Sequence, residues 1–197
     1  MSPSPFRKLG ERIVHRGSLI TVGEATFEGP GGETFERDVV RHPGAVSVVA
    51  VDGDAGAYTV ILVRQYRAAV ERDILEIPAG KRDVAGEDAE RTAHRELEEE
   101  VGMRAGRMEL LAEFYNSPGM CDEHSFVFLA TDLTPCALSA QGVEEQHMTI
   151  ERHPLADVPA MIARRELVDA KSIIGLCLAR DALQRRNLDG STSMPVE

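Results

Sequence analysis

A stretch near the middle of the chain holds four glutamates just before a glycine of the kind that ends helices. They are Glu96, Glu98, Glu99 and Glu100, and Gly102 follows them. Like charges four residues apart on a helix cost about 0.2–0.5 kcal/mol per pair, and negative charge at a helix C-terminus also opposes the helix dipole. The cluster therefore lowers helix stability where it stands, and we expect a bound group to compensate for it.

A helical wheel separates these glutamates into two sets. The apolar residues share one face, which comprises Ala89, Ala93, Leu97 and Val101. Glu96, Glu99 and Glu100 fall together beside this face, and Glu98 points to the other side. A solvated surface helix would explain a charge run alone, but convergence beside the apolar face favours a cation site. Mg²⁺ prefers carboxylate oxygens, and a bound ion would offset the repulsion.

The residues around this helix resemble the Nudix box, a signature of phosphoanhydride hydrolases. The second half of the box is matched by Arg95, Glu96, Leu97, Glu99, Glu100, Gly102 and Met103. Glu87 stands at the family's spacing from Arg95. The sequence departs from the family at the front, where six residues separate Gly80 from Glu87 and the family has five. Because the extra residue lies in a loop, where length is tolerated, the helix itself is unaffected.

The resemblance implies a metal site and a set of roles. The implied cofactor is Mg²⁺, with Mn²⁺ as the alternative, and two or more ions in each site. The implied metal ligands are Glu96, Glu99, Glu100 and the carbonyl of Ala79. Arg95 and Glu99 are implied to serve catalysis, with Arg95 pairing with Glu87 or Glu99.

Residues outside the box resemble the ADP-ribose pyrophosphatase subgroup. In the sequence SPG, Pro118 lies fifteen residues after Met103, and RQYR before the box and PGMCDE after it are also similar to that subgroup. The resemblance covers most of residues 35–180. It implies hydrolysis of ADP-ribose to AMP and ribose 5-phosphate. A plain turn is the alternative explanation of the Pro-Gly pair.

A second acidic segment, GVEEQHMTIE at residues 142–151, supplies the candidate general base. A loop glutamate serves this role in the related enzymes, and Glu145 aligns best, with Glu144 as the open alternative. Such a base is needed because an attacking water must be oriented and must lose a proton. A solvated loop is the plainer interpretation of this segment.

Four residues are candidates for binding the substrate. Arg37 and Arg67 have guanidinium groups suited to phosphate, although each alone is more often a surface arginine. Glu76 is a candidate for adenine or ribose, and Gly119 for the substrate loop.

Apolar patterning predicts the elements that hold these residues. Strands are expected at 12–28, 33–42, 45–52, 58–66, 108–117 and 124–133, and helices at 88–101, 155–166 and 170–186. Residues 1–10 and the tail from 189 are expected to be irregular. The segment 142–151 is expected to be a loop. Mixed strands with these helices indicate an α/β/α sandwich of Nudix type with a mixed sheet, preceded by a small antiparallel β unit.

We expect two domains, an N-terminal β unit over residues 1–44 and a Nudix hydrolase domain over residues 45–197. Residues 11–42 resemble the unit that exchanges between subunits in relatives of this subgroup. The resemblance therefore implies a homodimer.

The length, composition and net charge of the chain argue against several classes of function. The 197 residues suit one good core, and a net charge of −11 argues against nucleic-acid binding. No apolar run is long enough to span a membrane. Three widely spaced cysteines fit a reducing cytoplasm.

Three rival functions stay open. The same chemistry could act on another nucleotide sugar such as GDP-mannose. A non-hydrolytic nucleotide-binding module of the same fold would typically lack a box glutamate, whereas all are present here. An acidic docking scaffold would be indifferent to Mg²⁺.

Overall fold

The computed structural model describes residues 4–54, 56–139 and 146–191. Its strands are β1 (Arg7–Arg16), β2 (Thr21–Glu28), β3 (Thr34–Arg41), β4 (Ala45–Asp52), β5 (Thr59–Arg67), β6 (Arg72–Glu76), β7 (Ala79–Lys81), β8 (Met103–Tyr115), β9 (His124–Pro135) and β10 (Thr149–Pro154). Its α-helices are α1 (Ala89–Val101), α2 (Val158–Ala163) and α3 (Ala170–Ser191), and a 3₁₀ turn at Leu155–Asp157 precedes α2.

The first three strands form an antiparallel sheet in the order β1-β2-β3. Phe27 and Phe35 face each other across β2 and β3, and their rings stack with centroids 5.6 Å apart. Arg12 and Glu24 form a cross-strand ion pair at 3.1 Å. The antiparallel unit predicted from sequence is confirmed.

The main sheet runs in the order β10-β5-β4-β9-β8, with β6 paired to β5 and β7 paired to β4. Alternate residues of β4, such as Val46 and Val48, join the core that α1 covers. Residues of the other parity, such as Val49, lie against α3. The sheet therefore stands between α1 and α3, which confirms the predicted α/β/α sandwich.

The structure corrects four predicted elements, and the first is the tail expected to be irregular from residue 189, because α3 continues to Ser191. β1 starts at Arg7, inside the segment expected to be irregular, and β10 occupies the end of the segment expected to be a loop. Both strands are mostly exposed, so their pairing to neighbours supports them and apolar alternation does not reveal them. The helix expected at 155–166 is divided between the 3₁₀ turn and α2, which stops before Arg165, a residue with φ of 62°.

The chain divides into two compact units. One contains the residues up to Gly44 and Phe114–Ser125, and the other contains Ala45–Glu113 and the residues from Phe126 onward. The domain assignment at 1–44 and 45–197 stays a prediction. In the part of the chain that the structure describes, no helix is long and apolar enough to cross a membrane.

Candidate active site

Local signals at both ends define α1, the helix that carries the candidate ligands. Asp88 is the N-cap, and its side chain accepts a hydrogen bond from the backbone N of Arg91 at 2.8 Å. Gly102 ends the helix with φ of 62°, in the left-handed region that glycine adopts without strain. The predicted helix and its terminal glycine are both confirmed.

Glu96 and Glu100 lie one turn apart on α1 and are buried despite their charge, exposing only 7% and 3% of their surface. Oε2 of Glu100 accepts a hydrogen bond from the backbone N of Ala79 at 2.9 Å. A Cβ placed on Gly80 would lie 1.8 Å from Cδ of Glu96, so this carboxylate occupies the space that a side chain at position 80 would fill. Both carboxylates are thus held against the Ala79–Gly80 backbone.

Arg95 gathers three carboxylates around its guanidinium. Nη1 lies 2.8 Å from Oε1 of Glu96 and 3.1 Å from Oε2 of Glu99, and Nη2 lies 3.3 Å from Oε2 of Glu87. Burial alone would lower the pKa of Arg95, but the charge of Glu96 and the hydrogen bond to Glu87 outweigh it, so this pKa is raised. The alternatives that the sequence left open for Arg95 are both realised, because it pairs with Glu87 and with Glu99.

Glu87 joins this cluster from the loop before α1. Its Oε2 accepts a hydrogen bond from Oγ1 of Thr92 at 3.0 Å, in addition to its contact with Arg95. Burial raises the pKa of the Glu87 carboxyl, but the hydrogen bonds from Thr92 and Arg95 more than reverse this and lower it. Glu87 is therefore fixed as a carboxylate that anchors Arg95.

The oxygen atoms of Glu96, Glu99 and Glu100 on helix α1 are of the kind that a hard divalent cation binds. Within residues 4–54, 56–139 and 146–191, no three His, Cys, Asp or Glu side chains are arranged to hold an ion, since Glu96 and Glu99 turn toward Arg95. The groups present are nonetheless carboxylate oxygens on one helix flank beside the backbone at Ala79, which is the ligand chemistry that Mg²⁺ prefers. A cavity of about 480 Å³ opens on this part of α1 and is lined by Glu87, Arg95, Glu98 and Glu99 among others, whereas Glu96 and Glu100 do not line it.

Arg67 and Glu76, two predicted substrate contacts, bind each other. Nε and Nη2 of Arg67 each lie 2.7 Å from an oxygen of Glu76, which exposes only 2% of its surface. Lys171 binds the same carboxylate from helix α3. Burial raises the pKa of the Glu76 carboxyl, but the hydrogen bond from Arg67 and the charge of Lys171 outweigh it, so this pKa is lowered.

The other two predicted substrate contacts lie in the N-terminal compact unit. Arg37 is exposed on β3, where its guanidinium lies 4.8 Å from the centroid of the Phe35 ring. Gly119 is exposed in a turn and lines a cavity of about 210 Å³ together with Arg41 and Asp122. Arg41 pairs with Asp122 at 3.0 Å, a contact that sequence reasoning missed because the two residues are far apart in the chain.

Glu145 and Glu144, the candidates for the general base, lie outside the described residues.

The contribution of helix α3 to this part of the molecule was missed in the sequence, because no motif marks Lys171. The nearest signal is an aspartate three residues before a serine, Asp169 and Ser172, a spacing typical of a helix start.

Comparison with known proteins shows the family. The model of the NUDIX domain family matches residues 41–173. A similar relative is the ADP-ribose pyrophosphatase of Bacillus subtilis (strain 168), 37% identical over 84% of this chain and 88% of that protein. The ADP-ribose pyrophosphatase of Mycobacterium tuberculosis (strain ATCC 25618 / H37Rv) is 35% identical over 89% of this chain and 84% of that protein.

A solved structure agrees with the sequence comparisons. The crystal structure of an ADP compounds hydrolase superposes with a TM-score of 0.81 at 26% identity, covering 94% of this chain and 98% of that one. This chain belongs to the Nudix family, and it is a Nudix hydrolase. The family generally uses divalent metal ions.

Proposed function

We propose that this Nudix hydrolase cleaves the diphosphate of ADP-ribose, giving AMP and ribose 5-phosphate. The observation that carries the proposal is the pair of buried carboxylates, Glu96 and Glu100, held beside the Ala79–Gly80 backbone. The choice of substrate is supported by the two ADP-ribose pyrophosphatases that are 37% and 35% identical to this chain over most of its length.

The residues that would hold Mg²⁺, or Mn²⁺ in its place, are Glu96, Glu99, Glu100 and the carbonyl of Ala79. When bound, two or more such ions neutralise diphosphate charge and lower the pKa of water. Arg95 contacts Glu96 at 2.8 Å and Glu99 at 3.1 Å, so a bound ion would take over oxygens that Arg95 now holds.

The proposed reaction is attack of water on the adenosine-side phosphorus. Glu145 takes the proton from the water, with Glu144 as the neighbour to be tested against it. The bond from this phosphorus to the bridging oxygen breaks, and ribose 5-phosphate leaves. Arg67 and Arg37 are the proposed contacts to diphosphate or ribose, because guanidinium groups donate paired hydrogen bonds to phosphate.

The test is to incubate the protein with ADP-ribose and Mg²⁺ and to separate the products by chromatography. We expect AMP and ribose 5-phosphate from the wild type, no product in a chelator, and a loss of at least about 100-fold in Glu100→Gln. The matched control is Glu90→Gln, on the same helix, because Glu90 is exposed and does not line the cavity. This control should stay within about two-fold of the wild type.

Two other outcomes would contradict the proposal in different ways. Hydrolysis of GDP-mannose without hydrolysis of ADP-ribose would retain the chemistry and reject the substrate. Tight binding of ADP-ribose with no product from any nucleotide sugar would identify a non-hydrolytic binding module. Glu145→Gln and Glu144→Gln, assayed side by side, decide which glutamate is the base.

A further inference from the structure

The first turn of α3 holds the segment that leads into the Nudix box. The side chain of Ser172 is fully buried, and its Oγ accepts a hydrogen bond from the backbone N of Ile77 at 2.9 Å. The same Oγ donates to Oδ2 of Asp169 at 2.5 Å, and the backbone N of Ser172 donates to that oxygen at 2.9 Å. Asp169 is thereby fixed in one orientation.

Lys171 connects this turn to Glu76. Its Nζ lies 2.9 Å from Oδ2 of Asp169 and also binds Oε2 of Glu76. Only 15% of the Lys171 side chain is exposed, so its ammonium group depends on these two carboxylates. Oε2 of Glu76 is also the oxygen that accepts from Nη2 of Arg67 at 2.7 Å, so Lys171 and Arg67 share one buried acceptor.

Arg67 is the exposed end of this chain of contacts. Its two bonds to Glu76 use two of the five guanidinium N–H donors, and 40% of its side chain is exposed. The hydrogen bond to Glu76 raises the pKa of Arg67 against the effect of burial, and the charge of Glu100 adds to the rise. Arg67 therefore lies within electrostatic reach of a proposed metal ligand.

We propose that Lys171 is a positioning residue for Arg67 and acts through Glu76. With Lys171 present, the shared carboxylate is fixed from the α3 side, and the guanidinium of Arg67 is held in one orientation. Without Lys171, Glu76 is anchored by Arg67 alone, and both side chains can shift together. The inference rests on the proposed function in one respect only, namely that the oriented Arg67 contacts the diphosphate.

The first test does not depend on any substrate. In the protein labelled with ¹⁵N, the Nε–H resonance of Arg67 is assigned by its absence in Arg67→Lys, and its exchange with solvent is measured. In Lys171→Met, which keeps the stem and removes the charge, we expect exchange at least about ten-fold faster. Arg164→Met is the matched control, because it breaks the exposed pair of Arg164 with Glu166 at 2.8 Å and should leave the resonance unchanged.

The second test uses ADP-ribose hydrolysis. Loss of a contact made equally to substrate and transition state raises KM, so Lys171→Met should raise KM about ten-fold and change kcat less than about two-fold. In the Arg67→Lys background, the same substitution should change kcat/KM by less than about two-fold, because its effect is already lost. Thermal melting of each variant verifies that it is folded. If Lys171→Met does not fold, Lys171→Gln replaces it in both tests.

The outcomes separate the two proposals. Unchanged Nε–H exchange in the folded Lys171 variant overturns the positioning role, whatever the enzyme hydrolyses. Equal and additive losses from Lys171→Met in both backgrounds also overturn it, since Lys171 would then act independently of Arg67. If the wild type hydrolyses no nucleotide sugar, the proposed function fails, and the exchange measurement still decides the role of Lys171.

Discussion

Two arginines, Arg67 and Arg95, gather carboxylates in the same compact unit, and they do so with opposite charge balance. The described contacts of the Arg67 cluster join two cations to two anions, namely Arg67 and Lys171 to Glu76 and Asp169. The described contacts of the Arg95 cluster join one guanidinium to three carboxylates. We name the first the balanced cluster, and we name the second, together with the neighbouring buried carboxylate Glu100, the acidic cluster.

The difference separates charges that the fold balances from charges that it leaves in excess. A buried ion pair is tolerated when each charge has its partner, and removing one partner is costly. A group of three carboxylates around one guanidinium keeps an excess of negative charge, and the like charges repel at close range. The balanced cluster therefore stabilises the packing around helix α3 and orients Arg67, the proposed substrate contact, and the acidic cluster is the proposed site for a divalent cation.

The largest expected effect is on stability, and it contrasts the two clusters directly. Glu76→Gln leaves the cations of Arg67 and Lys171 facing a neutral amide, which should lower the free energy of unfolding by about 2–4 kcal/mol. Glu100→Gln keeps an oxygen that can accept the hydrogen bond from Ala79 and removes a negative charge, so it should change stability by less than about 1 kcal/mol. Urea unfolding in a chelating buffer measures both.

This comparison fails if the two variants are equally destabilised. Equal losses would mean that the charge on Glu100 is as necessary to the fold as the charge on Glu76. The control for the loss of a carboxylate charge in an ion pair near the surface is Glu98→Gln, at a partly exposed position where such a pair contributes little.

The sequence predicted the acidic cluster far better than the balanced one, for a physical reason. Glu96, Glu99 and Glu100 lie within two turns of one helix, so the helical period alone places them together. Lys171 and Glu76 are 95 residues apart, and only the packing of α3 against the sheet joins them. Local periodicity carries no information about such a contact.

The strands show the same contrast. β4 and β5 are predicted correctly because their residues are mostly buried and apolar. β10 was missed because none of its residues is buried and its side chains include Glu151, Arg152 and His153. Its pairing with β5 depends on backbone hydrogen bonds and on the ion pair of Glu151 with Arg64 at 2.6 Å.

A smaller effect, on the affinity for Mg²⁺, is expected from a substitution beside the acidic cluster. In Gly80→Ala the new methyl group overlaps the Glu96 carboxylate, which would lie 1.8 Å from it, so this side chain must rotate away. The affinity for Mg²⁺ should fall by about ten-fold, equivalent to about 1.4 kcal/mol, because one ligand is misplaced. The dependence of the melting temperature on Mg²⁺ concentration measures this affinity.

The matched control for Gly80→Ala is Gly10→Ala, since a Cβ at Gly10 meets nothing within 4 Å. Gly10→Ala should leave the Mg²⁺ dependence unchanged. An unchanged Mg²⁺ dependence in Gly80→Ala as well would remove Glu96 from the proposed ligands.

The smallest expected effect is the pH dependence that the balanced cluster gives to stability. The pKa of the Glu76 carboxyl is lowered in the folded protein, because the hydrogen bond from Arg67 and the charge of Lys171 outweigh burial. In the unfolded chain it titrates near about 4.3, so below that pH the unfolded state binds the extra proton and stability falls as pH falls. The contribution is complete above about pH 5 and is lost as pH passes through the lowered folded pKa, at up to about 1.4 kcal/mol per pH unit.

Unfolding free energies measured from neutral to acidic pH should therefore show wild type and Glu76→Gln converging as the pH falls below about 4.3. Arg164→Met is the comparison, because the hydrogen bond from Arg164 lowers the pKa of Glu166 in the same direction at an exposed site. The difference between wild type and Arg164→Met should depend less on pH and should disappear in high salt. The difference between wild type and Glu76→Gln should persist in high salt. Parallel curves for wild type and Glu76→Gln would mean that the two cations do not favour the charged form of Glu76, and the distinction between the two clusters would then be wrong.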